Sequence, residues 1–259
     1  MPTSPDLSVQ LYTVRSALAA DPDATLARLA GLGFRLVEPF ALLEHRDALR
    51  EGFRQHGLSA PTTHADVLGP DRDAVFAAAG ELGIETVIQA WTEPARWATL
   101  EGIAATASAL GEAARVAADL GLRVGYHNHE FELATTIDGR HALEIFADRL
   151  DPTVVLEVDT WWADIGGADV PALLDRLGGR VVALHLKDGD GSGGGHVQVP
   201  LGQGVLPVRE IVAAAPTALR VLELDDTAGD LFEAIRIGRD LLLGIAADGQ
   251  TADGRTAGG

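Results

Sequence analysis

An imidazole and an ammonium lie two residues apart in Val181-Val182-Ala183-Leu184-His185-Leu186-Lys187-Asp188, an apolar run that turns polar at its end. Alternate residues of a strand share a face, so His185 and Lys187 project the same way. Lys187 is the only lysine; the other basic residues are nineteen arginines. A purely solvated charge could have been arginine here as elsewhere. A compact, titratable ammonium beside an imidazole instead suits proton transfer or the stabilisation of an oxyanion. An ion pair with a neighbouring carboxylate is the plainer alternative for the same residue.

A second stretch is richer still: Tyr126-His127-Asn128-His129-Glu130-Phe131-Glu132. Period two puts His127 and His129 on one face, and Glu132 lies just past the strand, where a turn can bring it inward. Val154 to Trp162 forms an apolar strand ending in Glu157 and Asp159 beside two indoles, and Val221-Leu222-Glu223-Leu224-Asp225 adds a further carboxylate. Glu132, Asp159, His185 and Glu223 together offer three oxygen ligands and one nitrogen. That set suits Mn²⁺ or Mg²⁺, with Co²⁺ or Zn²⁺ as alternatives, and leaves positions for substrate oxygens. Three carboxylates gathered without a cation would repel one another, and some would have to keep their protons. Each of the four taken singly reads more readily as an ordinary capping or ion-pairing group; the four together favour the metal.

These residues can meet only if the elements that carry them end at one place. Short β-rich runs near 7–12, 34–39, 59–64, 85–91, 122–129, 154–159, 181–187 and 219–225 alternate with helical patterns near 22–32, 44–56, 71–82, 97–120, 139–149, 169–177, 207–215 and 228–243. Pro22 and Pro207 fit helix starts, and Gly33, Gly57, Gly83 and Gly121 fit helix stops. Eight strand-helix units predict an α/β fold, a single (β/α)8 TIM barrel, in which the carboxyl ends of all strands meet at one rim. The rim residues are then Gln10, Tyr12, Glu38, His64, Asp66, Gln89, Trp91, His127, His129, Glu132, Glu157, Asp159, His185, Lys187, Glu223 and Asp225. Four of the eight histidines are among them. A doubly wound open sheet is the weaker alternative, because no Gly-x-Gly-x-x-Gly follows the first strand. Gly191-Ser192-Gly193-Gly194-Gly195 has no helix directly after it and is expected to be a flexible loop rather than a phosphate cradle.

Composition narrows the function. The chain has 259 residues, 47% of them hydrophobic, enough for a large core, with residues 1–245 expected to form the catalytic barrel and 246–259 a flexible tail. A formal charge of -18 without a compensating basic patch argues against nucleic acid, including the DNA substrate of an endonuclease IV-type barrel. The absence of cysteine removes disulfides, thiolate catalysis and zinc-thiolate sites. No leader and no uninterrupted apolar run of membrane-spanning length is present, so a cytoplasmic protein is expected. Self-association, or pairing with a partner subunit, is left open.

Four stretches carry a resemblance that runs from the first strand to the last: Gln10 to Arg15, Tyr126 to Glu132, His185 to Asp188, and Leu222 to Asp225. They resemble the sugar phosphate isomerase/epimerase family of xylose isomerase-like TIM barrels, in the branch marked by Tyr-His-Asn-His-x-x-Glu. The resemblance implies metal ligands at Glu132, Asp159, His185 and Glu223. Many relatives have Glu-Asn-His where this chain has His127-Asn128-His129, so His127 is the alternative first ligand, with Glu132 then a base. It also implies a small carbohydrate substrate and an isomerase or epimerase that removes a proton from carbon next to a carbonyl. A dehydratase or lyase on an inosose or 3-keto glycoside is the alternative outcome, and a non-catalytic sugar-binding or partner-binding barrel a second. Under this reading His129 or Glu132 takes the proton, Lys187 steadies an oxyanion or protonates a leaving group, and Glu38 returns a proton on the other face. Tyr12, His64, Trp91, His127 and Trp161 are the expected substrate contacts.

Overall fold

The computed structural model describes residues 6–191 and 197–256, with side chains described as far as 248. Its strands are β1 (Leu7–Val9), β2 (Thr62–His64), β3 (Thr86–Gln89), β4 (Arg123–His127), β5 (Thr136–Ile137), β6 (Arg140–His141), β7 (Val155–Asp159), β8 (Val181–Leu186), β9 (Asp188–Gly189), β10 (Gln198–Val199) and β11 (Leu219–Leu222). Seven of them form one parallel sheet in the order β1-β11-β8-β7-β4-β3-β2. Valine, leucine and isoleucine dominate these strands, as expected for strands buried on both faces.

The run at 34–39 is not a regular strand. It pairs only through isolated bridges, Gln10 with Glu38 and Leu36 with Ser59, both parallel. Those bridges nevertheless join β1 to the approach of β2 and close the cylinder. Glu38 N donates to Val9 O at 2.8 Å, Leu11 N to Glu38 O at 2.9 Å, and Val37 N to Ser59 O at 3.0 Å. The eight-membered TIM barrel is therefore complete, with one member reduced to a few residues.

Helices cover the outside. They start and stop where local chemistry says they should: Asp21 accepts from Ala24 N ahead of Pro22–Gly31, Thr99 from Gly102 N ahead of Leu100–Ala118, and Asp169 from Ala172 N ahead of Val170–Leu177. Leu42–His56 ends at Gly57, whose φ of 65° suits a residue without Cβ. The final helix, Leu231–Thr256, runs through most of the segment expected to be a tail. Extending a formed helix is far easier than nucleating one, so weak burial at 246–248 does not stop it. Residues 257–259, and residues 192–195 of the glycine run, lie outside the described residues.

Small pieces at the carboxyl ends of the strands build the rim. Leu11–Val14 is a short 3-10 turn carrying Tyr12, and Phe131–Ala134 and Thr160–Ile165 are single helical turns directly after the motifs at β4 and β7. Strands β9 and β10 pair antiparallel past Lys187. Asp188, fully buried, accepts from the backbone N–H of Gly202, Gly204 and Leu206, and so folds the 202–206 loop back onto the rim. No helix among the described residues is long and apolar enough to cross a membrane.

Candidate metal centre and active-site cavity

Register decides which side chains meet. Glu157 lies beside His127 across β4 and β7, and Asp159 beside His185 across β7 and β8. The pairing of β7 with β8 shifts between Leu156 and Glu157, so the last residues of β7 are aimed afresh at the barrel axis. Period two then stacks Glu157 beneath Asp159 and His185 beneath Lys187. The result is an upper layer at the rim and a lower layer inside the barrel.

In the upper layer, Asp159, His185 and Glu223 each offer a ligand atom within 4.8 Å of the others, enough to hold a metal ion. His185 Nδ1 is 2.6 Å from Glu223 Oε2, and His127 Nε2 faces Asp159 Oδ2 at 3.7 Å. Lys187 Nζ lies 2.8 Å from Asp159 Oδ2, 2.7 Å from Glu223 Oε2 and 3.0 Å from Asp225 Oδ2. In the lower layer, Glu157 Oε1 is 2.6 Å from His64 Nε2, 3.1 Å from His127 Nδ1 and 3.1 Å from His185 Nε2. Glu38 Oε1 is 2.6 Å from His185 Nε2 and accepts from Gln10 Nε2 at 2.7 Å.

The charges are strongly coupled. Burial and the nearby Glu157 raise the Glu38 carboxyl. Burial also opposes ionisation of Glu157 and Glu223, but His185 and His64 outweigh it for the first, and Lys187 and His185 for the second, so both stay well below the usual carboxylate range. His185 is pulled up well above its ordinary value despite burial, by Glu157, Glu223 and Glu38. Asp159 is pushed up to about 6 by burial, against the pull of Lys187. Burial lowers His127 well below the usual imidazole value, and burial with the Lys187 charge lowers His129 to about 4.

Three carboxylates, Asp159, Glu223 and Asp225, thus surround a single ammonium, and two more, Glu38 and Glu157, face imidazoles below it. Glu38 Oε2 and Glu157 Oε2 are buried and accept no hydrogen bond. A pocket with this surplus of buried negative charge, and with imidazole and carboxylate donors, fits a divalent cation of the Mn²⁺, Co²⁺ or Zn²⁺ type.

Above the cluster opens a cavity of about 630 Å³, within the range of small-molecule sites. Tyr12, His64, Trp91, His127, His129, Lys187 and Glu223 line it. Trp91 and Tyr12 expose half and two-fifths of their surface there, with Phe40 edge-on to Tyr12 at 5.3 Å between ring centres. Asp159 and His185 lie under its floor, fully buried.

Three expected site residues stand elsewhere. Glu132 belongs to neither convergent group and does not line the cavity. Its turn, Phe131–Ala134, directs it inward behind the strand: Tyr126 Oη donates to Oε1 at 2.6 Å and His129 N to Oε2 at 2.9 Å, and burial raises its carboxyl to about 8. Glu38 is fully buried below the floor, so it has no access to a substrate face. Trp161 is a core residue, 2% exposed, its ring packed where a Cβ at Gly189 would otherwise lie. Glu157, at the centre of the lower layer, was only one rim residue among many in the sequence. Its signal was the strict alternation Leu156-Glu157-Val158-Asp159, which places it on the same face as Asp159.

Comparison with known proteins identifies the fold family. A family model for the xylose isomerase-like TIM barrel matches residues 26–216. The chain belongs to that family. This xylose isomerase-like barrel is 28% identical over 182 residues to inosose dehydratase of Geobacillus kaustophilus, covering 65% of this chain and 54% of the relative. The chain thus spans about half the length of that curated relative. Among solved structures, a sugar phosphate isomerase/epimerase from Parabacteroides distasonis ATCC 8503 superposes with a TM-score of 0.76 at 19% identity, over 91% of this chain and 92% of the other. A structure of the IOLI protein with a zinc atom superposes with a TM-score of 0.68 at 16% identity, over 94% and 98%. At these identities the structural likeness is one of fold.

Proposed function

We propose that this xylose isomerase-like barrel is a divalent-metal-dependent isomerase or epimerase of a keto-sugar or related polyol, working by removal of a proton from the carbon next to a carbonyl. The observation that carries this reading is the buried meeting of Asp159, His185 and Glu223 beside Lys187 at the floor of the cavity, with His127 Nε2 3.7 Å from Asp159. These four would hold the ion, so His127 takes the place that the resemblance gave to Glu132. The zinc-bound structure of the same fold supports a metal in a barrel of this kind. When bound, the ion supplies Lewis-acid polarisation of a substrate carbonyl.

The chain's own groups then divide the remaining work. His129 is on the cavity wall and neutral at physiological pH, so it can accept a proton, whereas Glu132 is shut away behind it. Lys187 offers an ammonium at the floor to an oxygen that gains negative charge. Tyr12 and Trp91 present exposed ring faces to the apolar side of a sugar. Asp66, Glu93 and Asp225 line the same cavity, and its Arg96 is 3.9 Å from Glu93. Lys187 and Arg96 are the cations among the described wall residues and carboxylates outnumber them, which favours an uncharged substrate.

Elimination of water or of a glycosidic leaving group begins with the same proton removal, and the inosose dehydratase relative favours that outcome as a second reading. The test is solvent exchange at substrate carbon in D₂O with Mn²⁺, using a keto-sugar and an inosose. Exchange with recovery of a sugar epimer or isomer supports the first reading, and loss of water the second. Asp159→Asn and Glu223→Gln should each lose bound Mn²⁺ and exchange together. Undiminished Mn²⁺ in both variants removes the ligand assignment.

A further inference from the structure

The lower layer of the cluster has the composition of a second metal site, since His64, His127, Glu157 and His185 also converge within 4.8 Å. Its geometry points elsewhere. His185 belongs to both groups: Nδ1 faces Glu223 at 2.6 Å, while Nε2 faces Glu38 at 2.6 Å and Glu157 at 3.1 Å. His127 is used in the same two-sided way, with Nε2 toward Asp159 at 3.7 Å and Nδ1 toward Glu157 at 3.1 Å. An imidazole that gave both nitrogens to cations would have to surrender both ring protons. One that keeps a proton on the nitrogen facing a carboxylate has its lone pair on the other.

We propose that Glu38 and Glu157 are positioning residues that clamp the two imidazoles of the metal site from behind, so that His185 presents Nδ1 and His127 presents Nε2 to a single ion. The proposal rests on the metal reading given above and extends it to residues that touch neither ion nor substrate. Each carboxylate is itself held. Gln10 Nε2 donates to Glu38 Oε1 at 2.7 Å, and His64 Nε2 lies 2.6 Å from Glu157 Oε1. His64 also stacks on His185, with ring centres 4.9 Å apart and planes 10° apart, which fixes the plane of the ligand ring. Both carboxylates are buried to within 1% and each keeps one oxygen without a hydrogen-bond partner. Such burial is costly, and among the described residues no Arg or Lys pairs with either carboxylate; imidazoles alone do. Orienting a metal-binding imidazole and raising its basicity accounts for their presence at the barrel's centre.

The experiment uses the full chain with Mn²⁺ alone for affinity, by competition with a fluorescent chelator, and Zn²⁺ alone for ring-nitrogen NMR of histidine-labelled protein. Wild type should bind one Mn²⁺ per chain. Glu38→Gln and Glu157→Gln should weaken Mn²⁺ binding by roughly 10–100-fold, while the melting temperature without metal holds or rises because a buried charge is gone. In the Zn²⁺-loaded wild type, His185 should carry its proton on Nε2 and His127 on Nδ1, and the variants should blur that preference. Should Glu38→Gln fail to fold, Gln10→Leu frees the same carboxylate and should give a smaller loss of affinity. Unchanged affinity and unchanged tautomers in the variants overturn the clamp and leave the functional reading standing. Two Mn²⁺ per wild-type chain, one of them lost in Glu157→Gln, would make Glu157 a ligand and also overturn it. A wild-type chain that takes up neither ion overturns the metal reading itself.

Discussion

Lys187 is the residue on which the two layers balance. Its ammonium is 2% exposed and touches three carboxylates, and burial is outweighed by Asp159, Glu223 and Asp225 so that it stays charged far above neutral pH. Lys187→Met leaves those carboxylates facing one another. We expect it to lower stability in chelator by about 3–5 kcal/mol, the usual cost of breaking a buried ion pair from one side, and added Mn²⁺ to restore much of the loss. Urea denaturation with and without Mn²⁺ measures both. Glu132 makes a different prediction. Its folded value of about 8 lies above the ordinary 4.5, so the folded chain keeps a proton that the unfolded chain has released. Its contribution is intact below about pH 4.5 and is lost as pH climbs through about 8. Glu132→Gln, which cannot ionise, should flatten the fall in stability across that window. An unaltered profile by urea denaturation would show that Glu132 is ionised throughout.

At the scale of elements, the alternation of apolar runs and helical patterns was legible because buried parallel strands and amphipathic helices write themselves into composition and period. Strand ends were legible too, which is why Tyr12, His64, Trp91, His127, His129, Lys187 and Glu223 fall on one cavity. What escaped was the path of the chain just beyond those ends. The turn at Phe131–Ala134 carries Glu132 behind β4 rather than over the rim, and no periodicity announces a single helical turn. Glu38 was correctly placed at the end of its run, but its depth depends on a neighbour, His185, that is 147 residues away. Trp161 went astray for a related reason: beside a strand end an indole can face substrate or backbone, and a glycine decides. Gly189 lets the ring lie against β9, and any Cβ there would meet it. Gly189→Ala should therefore destabilise by about 1–3 kcal/mol and loosen the β9–β10 hairpin. A thermal melt reads the first, and hydrogen exchange at Gln198 and Val199 the second. Tolerance of alanine without loss would mean that the ring has another place to go.

The whole molecule is a closed cylinder with its chemistry gathered at one end and a formal charge of -18 spread over it. That field draws divalent cations inward, and association with Mn²⁺ should slow as NaCl screens it. The cylinder is not equally strong all round. Between β1 and β2 it is joined by the irregular run at residues 35–39 instead of a regular strand, yet Glu38, which grips His185 on the far side of the bore, hangs from that very stave. An ion seated at the mouth therefore reaches, through one imidazole and one carboxylate, the thinnest seam in the wall. Amide protons of Val37 and Glu38 should exchange faster when chelator strips the ion and slower when it returns, while those deep in β8 barely respond. The cation would then act as the rivet that keeps the barrel shut, and tolerance to heat would follow the metal supply.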